Sequence, residues 1–266
     1  MMSAWISLMK KELRLGLSAF LVPIIAFLVV IGIASYLGSR NGFGWEAVVF
    51  VAMFATGIQV FYMIYYLLYS LQTERKVLHL WLHSPMPGYG LLSAKLVSAL
   101  AYMLFTCFIT GTTLFIAVNQ SVSISEQLQF VNIAEIGMFG GLHLILLAVH
   151  FAIVFMFFWI IFLVLNRNLG SFVSFLSTFV IFIIATTLYS AFTETGLYAW
   201  LTQWGELHFS GITESINITT NFETGTEVIQ EAGYISLYLG FYFFEAVVAI
   251  LLFLGAWWLL DRKVEV

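Results

Sequence analysis

LQTERKVLHLWLHSPMPGYGLL, residues 71–92, interrupts two long apolar runs at 48–70 and 96–118. Each run is long enough to cross a bilayer, for which about 20 residues suffice. The interruption opens on Glu74-Arg75-Lys76, continues through Val77, Leu78, Leu80, Trp81 and Leu82, and closes on Ser84-Pro85-Met86-Pro87-Gly88. Apolar residues at helical spacing behind a charged start, ended by proline, predict a short helix lying at the membrane surface.

Composition extends that reading to the whole chain. Hydrophobic residues make up 62% of the sequence and charged residues 9%, far from the soluble average of about 25% charged. So little polar surface cannot clothe a water-soluble domain, and the chain reads as one all-α integral membrane domain over residues 1–266. Residues 3–16 interleave Trp5, Ile6, Leu8, Met9 and Leu13 with Lys10, Lys11, Glu12 and Arg14. That pattern predicts an interfacial helix leading into an uncleaved first span. Six apolar segments follow, at 17–37, 48–70, 96–118, 136–165, 169–189 and 234–260. The fourth is long, and Gly137, Gly140 and Gly141 predict tilt or a broken start.

Charge placement sets the orientation. Lys10, Lys11, Arg14, Arg75, Lys76, Lys95, Arg167, Arg262 and Lys263 fall on one side of a six-span arrangement, against Arg40 alone on the other. The positive-inside rule then places both termini in the cytoplasm of a multi-pass cell-membrane protein. Nine glutamates, from Glu46 to Glu231, fall on the opposite side. The outer connection at 190–233 spans about 44 residues, too long for a plain loop. It begins with Leu197, Trp200, Leu201 and Trp204, an amphipathic piece suited to the outer interface. Its Thr-, Asn- and Glu-rich middle reads as a lid or an ordered cap.

Residues able to carry chemistry are few. No phosphate-cradling glycine-rich motif and no HExxH occur, so the chain reads as a non-enzyme with no cofactor of its own. His79 and His83 share a helix face, but a metal site needs three or four ligands, so no metal is expected. His150 and Glu245 lie near the predicted membrane centre, where an isolated charge costs about 3 kcal/mol. They pair, or line a polar path, or Glu245 locks the bundle through a hydrogen bond; one Glu and one His are too few for a proton relay. Tyr62, Tyr65, Tyr66 and Tyr69 form one face of the second span, as an aromatic belt or as the lining of a substrate cavity. Ser171, Ser174, Ser177 and Thr178 make a small-polar stripe that favours close helix packing.

Taken together, the basic leading helix, the six spans and the loop TERKVLHLWLHSPMPGYGLLSAKL resemble the permease subunits of type 2 ABC exporters of the Gram-positive bacterial type. The resemblance rests on Glu74-Arg75, Leu78-Leu80-Leu82, Ser84-Pro85 and Lys95, and on the short tail LLDRKVEV. It implies a dimer of two permeases, identical or not, each docking residues 71–92 as a coupling helix on a separate ATP-binding subunit that holds ATP and Mg. In that picture Leu78, Trp81 and Leu82 bury in the partner's groove, flanked by Ser84 and Pro85, while Glu74, Arg75 and Lys76 fix register at its rim. The cargo would be an amphipathic compound: an antimicrobial peptide, a lipid-linked molecule or a drug. Two other readings compete. One is a secondary carrier using Glu245 and His150; the other is a non-transporting sensor or immunity module whose acidic outer loops bind a cationic peptide. Nothing points to nucleic acid.

Overall fold

The structure, a computed structural model, describes residues 2–75, 86–127, 133–209, 215–221, 225–231 and 235–264. Six helical stretches are long and apolar enough to cross a membrane, as the sequence predicts. Helix α1 (Met2–Leu15) leads into α2 (Leu17–Arg40), which runs on through Pro23. The second span is α3 (Gly44–Ile58) and α4 (Tyr62–Arg75), joined by a 3₁₀ turn at Gln59–Phe61. The third is α5 (Gly88–Gln120), followed by short α6 (Val122–Gln127). The fourth and fifth are α7 (Ile133–Leu169) and α8 (Ser171–Thr193). Short α9 (Gly196–Thr202) precedes the sixth, α10 (Leu239–Leu259), which winds into a π turn at Leu260–Val264.

Three boundaries differ from the sequence reading. The fourth span has no broken start: α7 is continuous past Gly137, Gly140 and Gly141. The interruption lies in the second span instead, where buried Gln59 accepts a hydrogen bond from the Thr106 hydroxyl of α5. A polar residue tied to a neighbouring helix tolerates a local change of winding that a free one does not. The sixth span starts at Leu239 rather than 234, because residues 235–238 are strand.

That strand belongs to the last outer connection, which adds small sheets to a helical fold. Strand β1 (Glu206–Phe209) pairs antiparallel with β4 (Ile235–Tyr238), Glu206 opposite Tyr238. Between them β2 (Ser215–Asn221) pairs with β3 (Gly225–Glu231), Ser215 opposite Glu231. The register sets Ile218 opposite Val228 and Thr220 opposite Thr226. Helix α9 holds its start by Thr195, whose side chain accepts from the Tyr198 N–H. It leaves Trp200 75% exposed, with Leu197 and Trp204 exposed beside it.

Packing centres on α5 and α7. Helix α5 touches α1, α2, α3, α4, α7 and α10, while α7 also carries α8. Ala148, Ala152, Met156 and Ile160 form the buried stripe of α7, small enough at two positions for close helix approach. They meet Met63, Tyr66 and Leu67 of α4 and Leu92, Ala99 and Met103 of α5 in one continuous core. Helices α2 and α8 lie at the edges and show most of their apolar surface. A single residue turns the chain from α7 into α8. Gly170 has φ +74, a left-handed conformation open to glycine at little cost.

Candidate functional site

The end of the bundle that carries most Lys and Arg residues is held together by a buried charge cluster. Trp5, Leu8 and Glu12 share one face of α1, so a carboxylate stands where the apolar stripe would continue. Lys95 lies in the second turn of α5, between Leu91–Leu92 and Ser98–Ala99, all fully or nearly fully buried. Glu74 continues the Leu67–Leu71 stripe of α4. Lys95 is 0% exposed, Glu12 1% and Glu74 3%. The Lys95 ammonium donates to both Glu12 oxygens at 3.0 Å and to Ser70 Oγ at 2.6 Å, and forms an ion pair with Glu74 Oε2 at 2.7 Å. Ser70 in turn donates to Glu12 Oε2 at 2.9 Å. Lys11, 56% exposed on its side chain, reaches Glu74 Oε1 from the rim at 3.3 Å. Two carboxylates thus meet two ammonium groups, the condition under which buried charge is tolerable.

Further bonds staple α1 to the same two helices. Trp5 Nε1 donates to Ser93 Oγ, Tyr66 Oη to the Glu12 carbonyl, and Tyr102 Oη to the Leu13 carbonyl. Helix α1 is therefore built into the bundle, not only laid beside it. Two sequence expectations change accordingly. Lys95 is no flanking charge at a span's mouth. Glu74, expected at the rim of a partner's groove, is buried and paired with Lys95 and Lys11. Lys76, Leu78, Trp81, Leu82, Ser84 and Pro85 lie outside the described residues, as do His79 and His83.

What the structure does describe is both ends of that loop. On the leading side, Arg75 donates to Ser171 Oγ at 2.9 Å and lies 4.9 Å from the Phe162 ring centroid. On the trailing side, α5 starts directly after Pro87, and Gly88 N donates to Asp261 Oδ1 at 3.2 Å. A Cβ at Gly88 would sit 2.2 Å from that same oxygen. Asp261 also accepts from Trp257 Nε1, and Tyr89 packs edge-on against Trp257. Asp261→Ala is expected to cost about 0.5–2 kcal/mol, as loss of a helix cap does. A thermal melt of the detergent-solubilised protein reads it, and an unchanged midpoint would deny the cap any weight.

The four tyrosines of the second span do not act as one face. Tyr62 and Tyr66 are buried at i and i+4; Tyr65 and Tyr69 are exposed. Tyr69 shares a hydrogen bond with Ser18, which ties α4 to the start of α2. Tyr62 and Tyr65 border a cavity of about 310 Å³ beside Pro23, Gln59, Thr106 and Thr110. On α8, Ser174 is buried and bonds back to the Gly170 carbonyl.

At the opposite end, His150 and Glu245 do come together. His150 Nδ1 lies 3.1 Å from Glu245 Oε2, outside hydrogen-bond alignment, and Tyr189 donates to Glu245 Oε1. Glu245 is the seventh residue of α10, while His150 stands midway along α7. His143 Nδ1 bonds Tyr242 Oη at 2.9 Å, two turns before His150 on α7 and about one before Glu245 on α10. These groups line a cavity of about 730 Å³ between α5, α7 and α10. No three His, Cys, Asp or Glu side chains gather as metal ligands among the described residues.

No family model matches the chain, and no curated protein or solved structure matches it either.

Proposed function

We propose that this chain is the permease subunit of an ATP-driven exporter, which moves or extracts an amphipathic compound while a separate subunit hydrolyses ATP. The supporting observation is the anchoring of the loop between the second and third spans. Its leading end is tied through Glu74 to α1 and α5 and through Arg75 to α7 and α8; its trailing end is tied through Gly88 to the turn after α10. A force applied to residues 76–85 would reach five helix ends at once. A partner that closes on ATP needs such a lever, because coupling passes through rigid elements with discrete arrangements. Trp81 and Leu82 are the apolar residues such a partner would bury.

The test is co-purification of the chain with ATP-binding subunits from its own membrane, wild type beside the double variant Trp81→Ala, Leu82→Asp. Retention by wild type and loss by the variant is the expected result. Equal binding to both, or no ATP-binding partner, overturns the proposal. The ion-coupled carrier has one observation in its favour, the His150–Glu245 pair, and it requires no ATP-binding partner.

A further inference from the structure

The cavity at the acidic end has the layout of a head-and-tail site. Six of its seven polar groups, His143, Tyr242, His150, Glu245, Tyr189 and Tyr198, lie toward the acidic end, and Ser93 lies toward the other. From there the lining continues toward the basic end through Leu96, Val97, Ile153, Ala249, Ile250 and Phe253. Between Glu245 and Phe253 α10 rises about 12 Å, room for an aliphatic tail of about that length. The volume of about 730 Å³ falls within the ~300–1,000 Å³ typical of small-molecule sites.

Charge decides what the head must be. No lysine or arginine lines the cavity among the described residues. Among the described residues Glu245 has one side-chain hydrogen bond, from Tyr189, and one ionic neighbour, His150. A histidine is a cation only while protonated, so among the described residues the carboxylate's one ionic neighbour carries no permanent charge. Once His150 is neutral, an anion facing an apolar cavity calls for a cation from outside. Aromatic rings around it suit an ammonium group.

We infer that this cavity binds a single-tailed amphiphile with a cationic amine head, which sits against Glu245 and displaces the His150 proton. Besides His150, the titratable groups lining the cavity are Glu245 and Tyr242 from α10, Tyr189 from α8, Tyr198 from α9 and His143 from α7; α5 contributes Ser93, Leu96 and Val97, none of which titrates. Protonated His150 and the ligand compete for one carboxylate. Binding therefore tightens as His150 gives up its proton, by at most about tenfold per pH unit for one proton released. A zwitterionic phospholipid fits poorly, since its phosphate would face Glu245. Transport of the bound amphiphile rests on the permease reading; binding does not.

The experiment uses the full chain, without any ATP-binding subunit, in phosphatidylcholine nanodiscs with empty discs subtracted. The probe is labelled dodecyltrimethylammonium, whose charge is fixed, so any pH slope belongs to the protein. Expected are saturable binding, affinity at least about tenfold above dodecanol, and a rise with pH. Glu245→Gln loses the affinity and the slope; His150→Lys, which supplies a permanent cation, loses binding at every pH. The wild-type slope alone keeps the test decisive if a variant fails to fold. Equal binding of dodecanol, a flat pH profile, or full affinity in Glu245→Gln overturns the inference. Competition by phosphatidylethanolamine added to the discs overturns the single-tailed ligand. Lost binding alongside a retained ATP-binding partner sinks the ligand class and leaves the permease reading standing.

Discussion

Lys95→Met is expected to destabilise the detergent-solubilised protein by about 3–5 kcal/mol, the cost of leaving buried charges without their partner. The lysine's ammonium touches Glu12, Glu74 and Ser70 at once, and no solvent reaches the site to take over. The two carboxylates would then repel each other, with Lys11 alone at the rim. Removing all three charges is a different matter. The triple variant Glu12→Gln, Glu74→Gln, Lys95→Met should recover most of the loss, because an uncharged, well-packed replacement of a buried ion cluster is often neutral. Lys95→Arg should not rescue, since a planar fork does not fit where a compact ammonium sits among three acceptors. Denaturant titration of the four proteins checks this. Wild-type stability in Lys95→Met would show that the cluster carries no weight. A triple variant as poor as the single would shift the cause from charge to packing.

Six spans were legible because each is an apolar run of bilayer length and because a six-span arrangement puts all Lys and Arg but Arg40 on one side. The charge cluster was not legible from the same signals. Lys95 reads as a topological charge when counted with Arg75 and Lys76, since both roles place a cation near a helix end. The signal that separates them is local: Glu12, Glu74 and Lys95 each occupy an apolar stripe, where a solvated charge would stand on the other face. Which carboxylate finds which amine depends on helix packing across 83 positions of sequence, and no periodicity encodes that. His150 and Glu245 were visible as costly intramembrane groups, and their meeting is again a matter of packing between α7 and α10. The small sheets in the outer connection were missed because Thr- and Asn-rich composition hid a β-branched alternation. Tyr62 to Tyr69 share a face by spacing, but which of them is buried depends on the neighbouring helices, and only Tyr62 and Tyr66 join the core.

Gly16→Ala tests the junction between α1 and the first span. The glycine has ordinary helical torsions, φ −80 and ψ −2, so the constraint is space rather than conformation. A Cβ there would lie 2.2 Å from Tyr66 Cε2 and 2.6 Å from its hydroxyl. Tyr66 has no exit: it is 0% exposed and donates to the Glu12 carbonyl at 3.0 Å. Either the ring moves into the α4–α5 core or α1 swings away, and overpacking of this kind costs about 1–3 kcal/mol. Tyr66→Leu in the same chain should relieve the clash, so the double variant falls short of the sum of the singles. Combined with Lys95→Met the loss should also be less than additive, because a displaced α1 has already drawn Glu12 from its lysine. Strict additivity in that second cycle would mean that α1 moves without disturbing the cluster. Sub-additivity would show that the position of α1 and the charge state of the loop's leading end are one mechanical unit, the property a lever between a motor subunit and the spans requires.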